Sequence, residues 1–527
     1  MNVIQKCSWH VWWLGSAVMA LLFASTGHGA QIPPVPAMDL DEIVLFPFDD
    51  QSIPFTHGLR LRLLAGEKQG VVLPLGGKNA PDSDMVEFYG SLIRIDGQFR
   101  MWYIGRNFST DDFEHGPFRI CYAVSDDGIH WQRPDLGLVE FLGNRNNNLV
   151  GLHAEGGKMA PMRAQSVLVL HEPDDPNPKR RFKLVIETEG PKVPPYACGR
   201  VFFSPDGLRW TASPKNPVIN PTLEPSGLIN FNGCYYLTAH NLNFWEPVGR
   251  VLATYMSYDF ETWTQAADLG FRRSFPITLV HTGDGKQQVH MGASLWNRGN
   301  VIIGFYGSWQ YPDSGGNPKL HMPLGMVVSN DALNYREPVP DFEIIPAKGE
   351  EDGSWPALQQ AQAFENIRDK TYVWYSCWDE YGWANRDPSN NGGLVRLATW
   401  DRDRLGCFYY HFWEGHTEDT APAGTSTAHF VTRSLIIEPG ERVFVNAEGL
   451  SVDGYLTVEL LDERLQPLEG FSGPAAARVH TSGLRQPVTW RGESILDGFD
   501  QPVRFRVSYE GPKDKDILFY AMYVSKR

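Results

Sequence analysis

Short apolar runs alternate with polar turns along most of the chain, and one turn pattern returns behind such a run five times. The copies begin at Ser125, Ser204, Ser257, Ser329 and Thr399 and read SDDGIHW, SPDGLRW, SYDFETW, SNDALNY and TWDRDRL. The runs ahead of them are ICYAV, RVFF, LATYM, GMVV and VRLA, and successive copies lie 79, 53, 72 and 70 residues apart. Asp and Gly suit a tight turn, because the Asp side chain bonds its own backbone and Gly tolerates positive φ, while the closing aromatic packs under the next strand. Upstream of each turn sits a further hairpin, as in LIRIDGQFRMWYI (92–104), INFNGCYYLTA (229–239), VIIGFYG (301–307) and KTYVWYS (370–376). Each repeat therefore holds about four antiparallel strands.

Four-stranded units that cannot bury both faces alone do so by stacking on one another, which is the signature of a propeller. The pattern predicts an all-β chain: a five-bladed β-propeller over 81–425 followed by a C-terminal antiparallel β-sandwich over 426–527. The second domain is read from short alternating runs such as RVFVNAEG, YLTVELLD, VRFRVSYE and ILFYAMYV. Ahead of the propeller, 31–80 is a lead-in segment. Residues 1–30 read as a signal peptide: Lys6 precedes an apolar run from Val11 to Ser25, too short to span a bilayer, that ends in small residues. The expectation is a secreted or periplasmic protein with no integral membrane segment after signal cleavage.

Charge narrows the partners. The formal net charge is −15 at pH 7, which disfavours a nucleic-acid or anionic-membrane partner, so no nucleic acid is expected, and disfavours an acidic glycan unless a local Arg cluster reverses the field. Beyond the signal the cysteines are Cys121, Cys198, Cys234, Cys377 and Cys407, an odd number without metal-ligand spacing, so neither a disulfide framework nor a catalytic thiol is expected. No EF-hand or zinc motif occurs, and the one cofactor left open is a structural Ca²⁺ gathered near the axis by loop carboxylates.

Propeller topology turns sequence position into geometry. The first strand of each blade lines the axis, so its start shares a face with the end of the second strand, while the Ser-x-Asp turns fall on the opposite face. Counting back nine or ten residues from each inner hairpin gives Glu87, Arg163 or Gln165, Glu224, His290 and Gln360, all polar. The ends of the second strands add Arg106, Glu187, His240, Trp309 and Asp379. Carboxylates, bases and aromatics converging on one mouth suit the cleavage of a glycosidic bond, in which one carboxyl protonates the leaving oxygen while another activates water or attacks. Carboxylates at strand ends also commonly serve only as solvated or ion-paired residues.

The repeat and the stretch LEPSGLINFNGCYYLTA (223–239) resemble the five-bladed propeller superfamily of glycoside hydrolase families 32, 43 and 68. The resemblance implies Glu224 as general acid and, from DSDMVEFYGSLIRIDG (82–97), Asp84 or Glu87 as base or nucleophile. The chain departs from that pattern in three places: no Asp-Pro stands on the first blade, MRAQSVLVL (162–170) carries no acid, and the Arg-Asp-Pro at 386–388 lies in the fifth repeat. Asp379 is the candidate for the absent carboxylate. Arg106, Arg163, Gln165, His240, His290, Trp309 and Gln360 are the candidate substrate-binding residues. The expected function is thus an exported glycoside hydrolase acting on an oligo- or polysaccharide; the alternatives are a non-catalytic carbohydrate-binding propeller and a uronate lyase with a His or Tyr base and an Arg to neutralise the carboxylate.

Overall fold

The computed structural model describes residues 42–109, 119–153, 166–189, 197–219, 223–240, 250–264, 268–273, 288–309, 322–347, 357–378, 393–411, 428–496 and 498–526. All belong to one compact unit, Ala37–Arg527. The chain is all-β: a β-propeller with a β-sandwich. Among the described residues no helix is long and apolar enough to cross a membrane.

Five antiparallel units follow one another, each opened by an inner strand: Met85–Ile95, Val167–His171, Glu224–Phe231, Gln288–Asn297 and Ala357–Ile367. These five strands contact one another in order, and the last returns to the first through a bridge between Gln362 and Ser91, which closes the ring. Between neighbouring units lie five apolar layers. Trp102, Ile104 and Tyr122 meet Leu184 and Trp210, for example, and Ile229 and Tyr236 meet Val289 and Val327. Neither face of a unit could be buried alone, so stacking supplies most of the stability.

Four of the five repeated turns are built alike. Ser125 Oγ donates to Asp127 Oδ1 at 3.0 Å and accepts the Gly128 N–H at 2.8 Å, while Asp127 Oδ1 also accepts the N–H groups of Ile129 and His130, both at 2.8 Å. The turns at Ser204, Ser257 and Ser329 repeat these bonds. They also tie units together, since the Gly128 and Gly207 carbonyls accept the indole N–H of Trp374 and Trp102, both at 2.8 Å, from the preceding unit in the ring. Both glycines have positive φ, and a Cβ would lie 2.6 Å and 2.8 Å from those indoles. Ser125 pairs with Phe99 beside the inner hairpin, so the turns do lie opposite the mouth.

The fifth copy behaves differently. Thr399 Oγ1 accepts from Gln69 Nε2 at 3.0 Å, because Glu67–Leu73 pairs with Val395–Asp401 and supplies the outer strand of the fifth unit. The lead-in is thus shared out: its other strands, Glu42–Leu45, Phe55–His57 and Leu59–Leu63, join the two sandwich sheets, as does Gly406–Tyr410. No disulfide joins the described cysteines to one another, and Cys121 and Cys377 are buried in apolar layers.

Propeller and sandwich share a core in which Phe305, Val373 and Trp400 pack with Val44, Ala521 and Tyr523. At its centre the fully buried Asp403 accepts from Arg298 of the fourth unit, from Asn366 Nδ2 of the fifth at 2.9 Å and from Tyr523 Oη of the sandwich at 3.0 Å. Burial acts to raise this carboxyl's pKa, but Arg298 and the hydrogen bonds outweigh it and hold it below its ordinary 3.8. A depressed carboxylate stabilises the fold above its unfolded pKa and loses that contribution as pH falls through the folded one. Asp403→Asn, which leaves Arg298 buried opposite a neutral amide, is therefore expected to cost about 3 kcal/mol at pH 7. Denaturant unfolding should show the wild type and variant converging only below pH 3.8.

Candidate functional site

Each of four inner strands interrupts its own ladder just inside the mouth. The register slips between Glu87 and Ser91, between Pro225 and Gly227, between His290 and Ala293, and between Gln360 and Phe364. A bulge swings the residue beside it out of the regular pleat, so the polar positions Glu87, Glu224, His290 and Gln360 all stand at the same level of the ring. In the third unit the cause is legible: Pro225 has no N–H to give, and Gly227 lies so close to the fourth unit that a Cβ would sit 2.2 Å from the Ala293 carbonyl oxygen.

Gln360, buried at 1% exposure, stitches the bulges together. Its Nε2 donates to Ser226 Oγ at 2.9 Å, to the His290 carbonyl at 2.8 Å and to the Gly292 carbonyl at 3.1 Å. It therefore positions the site's walls, and its Oε1 has no partner among the described residues. Beside it Gln359 accepts from Ser376 Oγ at 2.6 Å and donates to Glu87 Oε1 at 3.3 Å, which fixes the first carboxylate.

The second carboxylate, Glu224, pairs in register with His240 at the end of the next strand. Burial raises its pKa above the ordinary 4.5, against the pull of Arg250, whose Nη1 lies 3.5 Å from Glu224 Oε2. Both carboxylates act on one neighbour: Tyr89, buried at 4% exposure, has its phenol pKa pushed well up by burial and then by Glu87 and Glu224. Tyr89 Oη lies 3.1 Å from His290 Nδ1, and the His290 ring lies 5.0 Å from that of Trp309. The fold thus brings Glu87, Glu224, His240, His290, Trp309 and Gln360 to one mouth around Tyr89 and Arg250.

The remaining candidates fall elsewhere or have other work. Asp84 Oδ2 accepts the Phe108 N–H at 2.9 Å and the Ser83 hydroxyl at 2.8 Å, so this carboxylate ties the entry of the first inner strand to the chain leaving the second. Arg106, at that second strand's end, is buried with its guanidinium over the Phe108 ring. Glu187 is buried opposite Gly199. Trp309, a candidate substrate-binding residue, is buried with the Arg250 guanidinium over its ring at 4.7 Å, so it carries Arg250. Arg163, Gln165 and Asp379 lie outside the described residues. No group of three or more His, Cys, Asp or Glu side chains placed to hold a metal ion occurs among the described residues.

Three participants were not singled out in the sequence. Arg250 opens the third strand of its unit, and starts of third strands share the mouth with ends of second strands, so the same topological count would have found it. Tyr89 sits inside a bulge and Gln359 next to Gln360, off the positions that the count selects.

No protein-family model and no curated protein matches the chain. Solved structures similar to it include a glycosyl hydrolase from Bacteroides ovatus, 14% identical over 65% of this chain and 95% of that one, with a TM-score of 0.42. Another is an N-acetylgalactosamine deacetylase from F. plautii in complex with blood group B trisaccharide, at 14% identity over 66% and 96%, with a TM-score of 0.41. A third is described with the GH130 family of mannoside phosphorylases, which contains glycoside hydrolases that target β-1,2 mannosidic linkages in Candida mannan, at 13% identity over 64% and 95%, with a TM-score of 0.39. The propeller assignment rests on the strand pairing of this chain itself.

Burial and the Arg250 charge push His240 down to about 3 and His290 well below its ordinary 6.5. Both rings are therefore expected to remain neutral from pH 5 to 8, with imidazole NMR shifts that do not titrate there. Because the unfolded chain takes up those protons below about pH 6.5, each histidine should lower stability by about 1 kcal/mol per pH unit on acidification. His240→Asn should flatten that slope in denaturant titrations.

Proposed function

We propose that the five units are the blades of a five-bladed propeller related to glycoside hydrolase families 32, 43 and 68, and that the protein is an exported glycan-cleaving enzyme. The observation that carries this reading is the pair of carboxylates gathered about Tyr89, one desolvated and one hydrogen-bonded. A carboxyl with a raised pKa keeps the proton that a leaving glycosidic oxygen needs, so Glu224 is the acid. Glu87, held by Gln359, is the second carboxylate, which activates water or attacks the anomeric carbon. Asp84, whose Oδ2 accepts the Phe108 N–H and the Ser83 hydroxyl, is assigned a structural role in this reading.

A second reading has a specific observation in its favour. The Tyr89–His290 pair beside Arg250 is the constellation of a uronate lyase, in which a phenol or imidazole removes a proton and a guanidinium neutralises the carboxylate. An unsaturated, ultraviolet-absorbing product would decide for it, since hydrolysis yields only new reducing ends.

The test is reducing-sugar release from a broad panel of oligosaccharides. Glu224→Gln, which keeps shape and removes the acid, is expected to lower kcat by about 10²-fold or more, and Glu87→Gln comparably, with sugar binding retained. Asp84→Asn should stay near wild type. Release unchanged in Glu224→Gln would reject the acid, and binding without release in the wild type would make the propeller a silent binder.

A further inference from the structure

Arg250 is the least accounted-for charge at the mouth. Its one ion-pair partner among the described residues is Glu224, at 3.5 Å, well beyond the roughly 2.8 Å of a good charge-assisted bond. When Glu224 carries the proton that an acid must donate, even that partner is neutral. The guanidinium then stands over Trp309, three-quarters buried, with no anion beside it among the described residues. Close by, His240 is buried at 2% exposure, and neither ring nitrogen has a partner among the described residues. A buried polar atom left unmatched costs about 1–3 kcal/mol, so such an atom at a mouth marks a place for a ligand group. Being neutral, His240 has one N–H to donate.

We propose that Arg250 and His240 bind the carboxylate of a uronic acid residue, so that the substrate is a uronate-containing glycan; this rests on the glycan-cleaving reading of the same site. A neutral hydroxyl would satisfy His240 but leave the guanidinium uncompensated, whereas a carboxylate answers both. The planar guanidinium fork matches the two oxygens of a carboxylate. Selectivity has to be local, because a chain of net charge −15 repels anionic glycans at long range. The arrangement also couples binding to chemistry. Arg250 acts to lower the Glu224 pKa, so a substrate carboxylate that engages Arg250 removes that influence and leaves the acid protonated when it is needed.

The experiment is titration calorimetry on the Glu224→Gln protein, which holds substrate without cleaving it. The ligands are galacturonate- and glucuronate-containing oligosaccharides, their carboxyl-reduced counterparts and sulfated neutral oligosaccharides. At least one uronate ligand is expected to bind about tenfold or more tightly than its reduced form, and adding Arg250→Gln should bring the two within about twofold. Arg250→Lys should restore part of the difference. Equal or tighter binding of the reduced forms, a preference that survives Arg250→Gln, selective binding of the sulfated sugars, or no binding of any uronate would each overturn the proposal. If the Arg250 variants fail to fold, the comparison of uronate and reduced ligand decides alone. The two readings fail separately: turnover that persists in Glu224→Gln removes the acid but leaves a uronate preference standing, while hydrolysis confined to neutral sugars removes the preference and leaves the acid.

Discussion

Inner strands crowded around an axis cannot keep regular ladders to the mouth, and the structure resolves that crowding with bulges. Where the third inner strand crowds the fourth, at Gly227 against the Ala293 carbonyl, no side chain fits. Four strands slip register at this level, and a polar residue stands at or next to each slip. Unpaired backbone at a bulge has to find other partners, and Gln360 supplies them by donating to the His290 and Gly292 carbonyls. The polar mouth is therefore a consequence of how the ring closes.

Desolvation then sets the chemistry. Glu224, Tyr89, His240 and His290 sit against the apolar layers, so burial is the largest influence on every one of them: it favours the acid form of Glu224 and the neutral form of both imidazoles. At Glu224 and at both histidines Arg250 is the second influence, opposing burial at the carboxyl and reinforcing it at the imidazoles. One cation thereby tunes the whole floor. Its place depends on Trp309, whose ring carries it, and on a ring geometry kept by the N-terminal strand Glu67–Leu73 and by the Asp403 cluster behind the fourth and fifth units.

The fold was legible because each turn states its structure locally: Ser, Asp and a residue able to take positive φ write the same hydrogen bonds at Ser125, Ser204, Ser257 and Ser329. Phe260 and Ala332 adopt that φ without being glycine, which shows that the Ser-Asp bonds and the packing beneath dictate the turn. The pairing of Glu67–Leu73 with the fifth unit was not legible, since it joins positions over three hundred residues apart and no local pattern encodes it. At the site, Glu87, Glu224, His290 and Gln360 could be found by counting from the hairpins because the bulges recur at one depth. Tyr89 and Gln359 could not, because they stand off the counted positions and meet His290 and Glu87 on other units. Trp309, a substrate-binding candidate from the sequence, has Arg250 over its ring, a partner that only the tertiary structure reveals.

The account turns on whether burial outweighs Arg250 at Glu224. That balance is measured most directly by carbon-13 NMR of glutamate side-chain carboxyls across a pH titration, with the Glu224 resonance assigned by its loss in Glu224→Gln. The account predicts a midpoint above the ordinary glutamate value of 4.5 that rises further in Arg250→Gln. A midpoint at or below 4.5 would mean that Arg250 dominates and that Glu224 holds no proton to give.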